Sequence, residues 1–232
     1  MFTLPTAPRL RGVEILDDPG VSSDLMNRSM SDVARANVLF GGRRAALAEL
    51  LPALESIGKN GSMLDVGTGV GDIPAAAKVA ARDLGLSLWT IGFDLSLPLV
   101  AENRKANDVV TRGDALCLPF ETASIDVVMA SQMLHHFEFD DAVKVVREMN
   151  RVARTRAIIS DLRRSVFAAA GIWMVSFPLG FHPVSRHDGV VSVMRGFLPG
   201  ELSAIVKEAT GMVPRIRHRL GFRLTASWTP VR

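Results

Sequence analysis

Leu64-Asp65-Val66-Gly67-Thr68-Gly69-Val70-Gly71-Asp72 carries a short hydrophobic run, Met63 to Val66, into a glycine-rich turn. An alanine-rich stretch with helical character, Ile73 to Leu84, follows, and the strand end Phe93-Asp94 comes 23 residues after Gly71. The unit reads as strand, loop and helix, then a second strand. Glycines in such a loop bring bare backbone up to a ligand, because no Cβ stands in the way. The next strand then offers the ligand a carboxylate. This arrangement predicts a nucleotide-like cofactor before any other residue is considered.

Outward from that turn the pattern alternates. Strand-like runs are 62–67, 87–94, 108–112, 125–131 and 157–161. Helical stretches lie between most of them, at 73–84, 97–107 and 140–153. Strands alternating with helices predict a doubly wound α/β fold, a mostly parallel sheet covered on both faces. Its ligand belongs beyond the C-terminal strand ends, at the switch in strand order. Residues 212–220 and 222–228 read as two final strands joined tightly at Gly221, and such a pair is antiparallel. Residues 21–57 read as two helices broken at Gly41-Gly42, and residues 1–20, rich in proline, glycine and charge, as a surface segment. The expected organisation is an N-terminal helical cap over 1–57 and a Rossmann-like domain over 58–232.

Residues 162–197 interrupt the alternation and are expected to form a lid insertion. Their apolar part, 166–181, contains Gly171, Pro178 and Gly180 and is shorter than the ~20 residues that cross a bilayer. It fits a buried core helix, a lid over an apolar pocket, or a segment resting on a membrane surface. No stable membrane insertion is expected.

Composition narrows the partners. The 232 residues suit one domain with one sizeable core, nearly half being hydrophobic. The single cysteine, Cys117, excludes an intramolecular disulfide framework and fits a reducing cytosol. It reads as a small buried residue. The start, Met1-Phe2-Thr3-Leu4-Pro5, lacks the features of a secretory signal. The formal charge is +3, with arginines clustered at 151, 154 and 156, at 163 and 164, and at 215, 217, 219 and 223. The chain has no tyrosine and no aromatics interleaved with those clusters, so a stacking platform for nucleic acid is not expected. Nothing in the sequence sets the oligomeric state.

Two kinds of cofactor compete for the glycine turn. A dinucleotide fingerprint needs Gly-x-Gly-x-x-Gly, and here Asp72 stands where its last glycine belongs. An acid at the mouth of the helix repels a pyrophosphate. A cofactor bearing an amino-acid end fits better, because its ammonium seeks carboxylates and carbonyls while its carboxylate seeks backbone N–H groups.

Four segments in order, 64–71, 92–96 (Gly-Phe-Asp-Leu-Ser), 112–120 (Arg-Gly-Asp-Ala-Leu-Cys-Leu-Pro-Phe) and 124–137, resemble the class I S-adenosylmethionine-dependent methyltransferases. The resemblance spans roughly residues 60–160. It implies S-adenosylmethionine as cofactor and S-adenosylhomocysteine as product. It implies that Asp65 and the backbone of Gly67, Gly69 and Gly71 face the methionine portion and that Asp94 holds the ribose hydroxyls. By the same likeness Asp114 and the Ala115 N–H take the adenine edge, Leu95 and Leu116 flank its ring, and Ser131 offers backbone to the ammonium.

The sequence after the fourth strand, Ser131-Gln132-Met133-Leu134, lacks the Asn/Asp-Pro-Pro-aromatic motif of enzymes that methylate exocyclic amines, and it lacks an acidic metal ligand. His135 and His136 are adjacent and should point apart on a regular element, so no metal is expected. The remaining resemblance is to the small-molecule branch, which acts on quinones, polyketides and phenols. A histidine of ordinary pKa could take a phenolic proton during attack. His182, Arg186 and His187 of the lid are the first candidates for base and specificity, and His136 is the reserve. A structural role is the alternative for each histidine, and His218 reads as solvated. The expected function is methylation of a small aromatic or polyketide-like acceptor, most simply on oxygen. The alternatives are C-methylation of a quinone precursor and a non-catalytic homologue that only binds the cofactor.

Overall fold

The computed structural model describes residues 8–10, 12–18 and 20–231. Seven strands form one sheet: β1 (Asn60–Val66), β2 (Ser87–Asp94), β3 (Val109–Arg112), β4 (Ile125–Ser131), β5 (Ala153–Leu162), β6 (Arg215–Arg219) and β7 (Arg223–Trp228). Their order is β3-β2-β1-β4-β5-β7-β6. The first five pair in parallel, and β7 runs antiparallel to both β5 and β6. The strand order reverses between β1 and β4, so a ligand crevice opens above their C-terminal ends. The doubly wound sheet is therefore the one predicted.

Side-chain alternation along β1 divides the core. Leu64 and Val66 face one side, with Val128, Ala130 and Ile159, under helices α5 (Phe139–Val152) and α8 (Pro199–Thr210). Met63 faces the other side, with Val127, Met129 and Ile158. That second face is covered by α2 (Gly42–Ile57) and α3 (Asp72–Asp83). Each fully buried Leu on these helices contributes about 2 kcal/mol.

Helix α2 lies inside the 1–57 segment read as a cap, yet it packs as a layer of the sheet domain. Ala46, Leu50, Ala53 and Leu54 are buried there. Its buried Glu49 accepts from Thr225 Oγ1 and Ser227 Oγ and pairs with Arg219, which fastens α2 to the antiparallel strands. Helices α6 (Val166–Ser176) and α7 (Pro183–Arg195), of the segment read as a lid, pack on each other, and α1 (Ser23–Leu39) packs on α7. Asp32 of α1 accepts from the His182 N–H at 2.8 Å and from Ser185 Oγ at 2.9 Å, which docks α1 on α7.

Three local expectations change. The helix predicted over 97–107 is α4 (Leu97–Glu102) followed by a single 3-10 turn, because the Asn103 side chain leaves the helix pattern to reach the glycine loop. Cys117 is exposed, not buried, since its loop turns outward after β3. Helix α6 is no core helix: Val166, Trp173, Met174 and Phe177 are exposed, and Phe167 is 68% accessible. Among the described residues no helix is long and apolar enough to cross a membrane.

Candidate active site

The loop after β1 holds Gly67, Gly69 and Gly71 at φ of 71°, 56° and 79°, a region that favours glycine. A Cβ on Gly67 would collide with the Met133 side chain, and one on Gly71 would stand 2.6 Å from the Ala106 Cβ. The Gly67 and Thr68 N–H groups donate to the Phe93 carbonyl at 2.8 and 3.1 Å. The Gly69 N–H donates to Asp94 Oδ2 at 2.9 Å, and the Ser96 N–H donates to Asp94 Oδ1 at 2.9 Å. Asn103 Nδ2 donates to the Gly69 carbonyl at 3.0 Å. Glycine loop and β2 end thus form one hydrogen-bonded unit.

Three carboxylates surround this unit. Burial pushes Asp65 up to about 8, with Asp72 and Asp94 adding to the rise and a Thr68 hydrogen bond opposing it. Burial also raises Asp72 and Asp94, against hydrogen bonds from Asn37 and from the Ser96 and Gly69 N–H groups respectively. Asp65 Oδ1 and Ser131 Oγ are buried without protein hydrogen-bond partners. They lie around a space of about 70 Å³ that Met30 and Asn37 of α1 cover. Such a pocket attracts a cation and repels a pyrophosphate. An ammonium-bearing ligand such as S-adenosylmethionine fits these unpartnered atoms.

The remaining residues of the expected cofactor site sit on neighbouring loops. Asp114 is exposed, and its Oδ1 accepts the Leu116 N–H at 2.9 Å, closing a local turn. Ala115 and Leu116 are partly buried against the core, while Leu95 is 63% accessible. The Gly113 N–H donates to the Asp94 carbonyl at 3.0 Å, which holds the loops after β2 and β3 side by side.

A larger cavity of about 440 Å³ opens beside the turn that follows β4. Arg9, Val13, Asp17, His135, His136 and Arg195 are among the residues lining it. The expectation that the adjacent histidines point apart fails. In the 3-10 turn Leu134–His136 their rings lie side by side, centroids 4.4 Å apart at 32°. His135 Nδ1 lies 2.7 Å from Asp161 Oδ1 at the end of β5. Asp161 also accepts the N–H groups of His135 and Leu162, and despite its burial these contacts and the charge of His135 hold its carboxyl below the usual range. His136 Nδ1 lies 3.2 Å from Asp17 Oδ1. Burial lowers the His136 imidazole, but the Asp17 hydrogen bond and the charges of Glu14 and Asp17 outweigh it, so its pKa rises.

Residues 64–160 match the family model described as a methyltransferase domain. A plant protein from Rauvolfia serpentina, ajmaline N-methyltransferase, is 30% identical over 138 residues, covering 53% of this chain. The match spans 46% of that relative's own length. Two solved structures share the fold. Magnesium protoporphyrin IX methyltransferase of Synechocystis has a TM-score of 0.57 at 11% identity, covering 92% of this chain and 100% of that one. A SAM-dependent methyltransferase of Aquifex aeolicus has a TM-score of 0.58 at 15% identity, covering 91% and 100%. The sheet has the class I methyltransferase fold, and the match to the methyltransferase-domain model covers the end of β1, all of β2, β3 and β4 and most of β5. In that fold the glycine loop, Asp94 and the β4 turn all stand at the same edge of the sheet.

The candidates for base and specificity, His136 after β4 and His182, Arg186 and His187 of the 162–197 segment, are not all brought to this edge of the sheet. His136 lines the large cavity. His182 caps α7, its Nδ1 accepting the Val184 N–H at 3.2 Å. Arg186 stacks its guanidinium 3.6 Å over the Phe177 ring and donates to Ser176 Oγ and the Phe181 carbonyl, so it binds the two lid helices to each other. The His187 side chain is 52% accessible and lies 2.8 Å from Asp188, whose carboxylate also accepts the Ile15 and Leu16 N–H groups.

Sequence reasoning passed over Glu14, Asp17, Asp161, Arg9 and Arg195. Asp161 had a legible signal: Ile158-Ile159-Ser160-Asp161 ends a hydrophobic strand in an acid, as Phe93-Asp94 does. The others had none. Residues 9–10 and 12–17, read as surface, strap across the domain: Arg9 donates to the carbonyls of His135, Phe137 and Arg195, and Glu14 is buried.

Proposed function

We propose that this protein is an enzyme that binds S-adenosylmethionine at the glycine loop and transfers its methyl group to a small aromatic or polyketide-like acceptor in the larger cavity. The observation that carries the reading is the acidic, partly unpartnered pocket at Asp65, closed by a loop that donates to Asp94. Asp65 and Ser131 would receive the ammonium, Asp94 the ribose hydroxyls, and Asp114 with Ala115 the adenine edge between Leu95 and Leu116. The cofactor supplies an electrophilic methyl on a sulfonium. This chain's residues align acceptor, methyl and sulfur and exclude water. In O-methylation the acceptor oxygen would have to be held in line with the methyl and sulfur, so that the methyl could pass to oxygen and S-adenosylhomocysteine be left. The acceptor's proton leaves at the wall formed by His135 and His136.

A second reading is N-methylation, favoured by the likeness to the ajmaline N-methyltransferase. Nucleic acid is a poor acceptor, because Arg151 and Arg154 of the basic clusters are paired with Glu148 and Asp126. The exposed Cys117 fits a reducing, cytoplasmic setting. Labelled cofactor with a panel of phenols, quinone precursors and amines tests the reading. Turnover of a phenol supports it. Calorimetry in which S-adenosylhomocysteine fails to bind ends it, and binding without turnover of any acceptor leaves a non-catalytic homologue.

A further inference from the structure

We propose that Glu14, His135 and His136 form a binding site for a divalent first-row transition-metal cation, with zinc the best match to the donor set. One ligand atom from each residue lies within 4.8 Å of the others. His135 Nε2 stands 3.7 Å from Glu14 Oε1, and His136 Nε2 stands 4.0 Å from Glu14 Oε2. Donors on a tetrahedral zinc at ~2.0–2.1 Å lie about 3.4 Å apart, so closure needs donors that now lie within 4.8 Å of one another to draw together by up to roughly an ångström.

The donors are prepared for a metal. The His135 Nε2 and Glu14 Oε1 atoms are buried, face each other and have no hydrogen-bond partner. Both imidazoles have Nδ1 against a carboxylate, His135 on Asp161 at 2.7 Å and His136 on Asp17 at 3.2 Å. A carboxylate that accepts from Nδ1–H leaves the Nε2 lone pair free, and this pairing recurs behind metal-bound histidines. Two imidazoles with one carboxylate suit zinc and its neighbours better than calcium or magnesium.

Arg195 is the competing cation, with Nη1 3.5 Å from Glu14 Oε1 and 3.1 Å from Asp17 Oδ2. Three protein ligands leave a coordination position open, and His135 and His136 line the 440 Å³ cavity. An acceptor hydroxyl bound there would lose its proton more readily and present oxygen to the methyl group. This use rests on the methyltransferase reading; cation binding does not.

The test is titration of the full chain, freed of metal by chelator, with Co2+ followed by its visible absorption and with Zn2+ by calorimetry. We expect one equivalent to bind and Glu14→Gln to weaken it by about 100-fold. The positioning variant Asp161→Asn should weaken it about 10- to 100-fold. Glu14 lies on the N-terminal strap, so Glu14→Gln keeps the sheet core, and circular dichroism verifies folding. Binding of S-adenosylhomocysteine, measured alongside, separates the two readings: cobalt bound without it upholds the metal site while the methyltransferase reading falls. No saturable cobalt binding, or equal affinity in wild type and Glu14→Gln, overturns the site and leaves Glu14 as an ion-pair partner of Arg195.

Discussion

The Gly69 N–H donates to Asp94 Oδ2 at 2.9 Å, so the second glycine of the loop and the acid closing β2 hold one another. Replacing Asp94 with Asn removes the charge while keeping the shape. Hydrogen bonds to charged groups are worth about 1.5–3 kcal/mol. Calorimetry should therefore show S-adenosylhomocysteine binding the variant about 10- to 100-fold more weakly. Affinity within twofold of wild type would remove Asp94 from the ribose site.

Asp65, held at about 8 by burial, gives cofactor binding a pH signature. Its folded pKa lies above the unfolded value near 3.9, so between pH ~4 and ~8 the free folded state carries the extra proton. Its contribution to stability is present below pH ~4 and is lost as pH rises toward 8. A ligand ammonium favours the ionised form and expels the proton. S-adenosylhomocysteine affinity should rise about tenfold per pH unit between pH ~5 and ~7, with close to one proton released. Titration in buffers of different ionisation enthalpy measures that proton. Affinity flat over the window would place the ammonium elsewhere.

Arg186 over Phe177 predicts a structural outcome for a residue first singled out for catalysis. A cation–π contact of this kind is worth about 0.5–2 kcal/mol. Arg186→Ala should loosen the lid, raising the acceptor KM several-fold with kcat within about threefold. A hundredfold fall in kcat at constant KM would instead put the guanidinium against the acceptor.

Gly221, at φ 74°, turns β6 into β7, and a Cβ there would collide with the Phe40 carbonyl. Gly221→Ala combines backbone strain with that clash and should cost about 3 kcal/mol. For a chain of this size the thermal midpoint should drop by roughly 6–12 °C. A change under 2 °C would mean that the turn relaxes freely.

Strands β1, β2 and β4 were legible because each is mostly hydrophobic in its C-terminal half, with an acid or serine at or next to its last position: Asp65, Asp94 and Ser131. A parallel strand buried on both faces has that signature. Gly221 marked the final hairpin for an equally local reason. The place of α2 was not legible: apolar spacing says that a helix face is buried, not which surface buries it. Likewise the apolar run in α6 reads as core by composition, but tertiary packing leaves Phe167 and Trp173 at the surface.

The sequence by itself determined the alternating α/β order, the glycine loop and the acid that answers it, because these depend on backbone conformation and neighbours a few residues away. Only the tertiary structure decided that Glu14, His135 and Asp161 meet, and that His187 stays at the surface of the lid. Those three residues arrive from the N-terminal strap, the turn after β4 and the end of β5. Their meeting follows from the pairing of β4 with β5 and from the strap's path over α7, and no spacing along the chain encodes either.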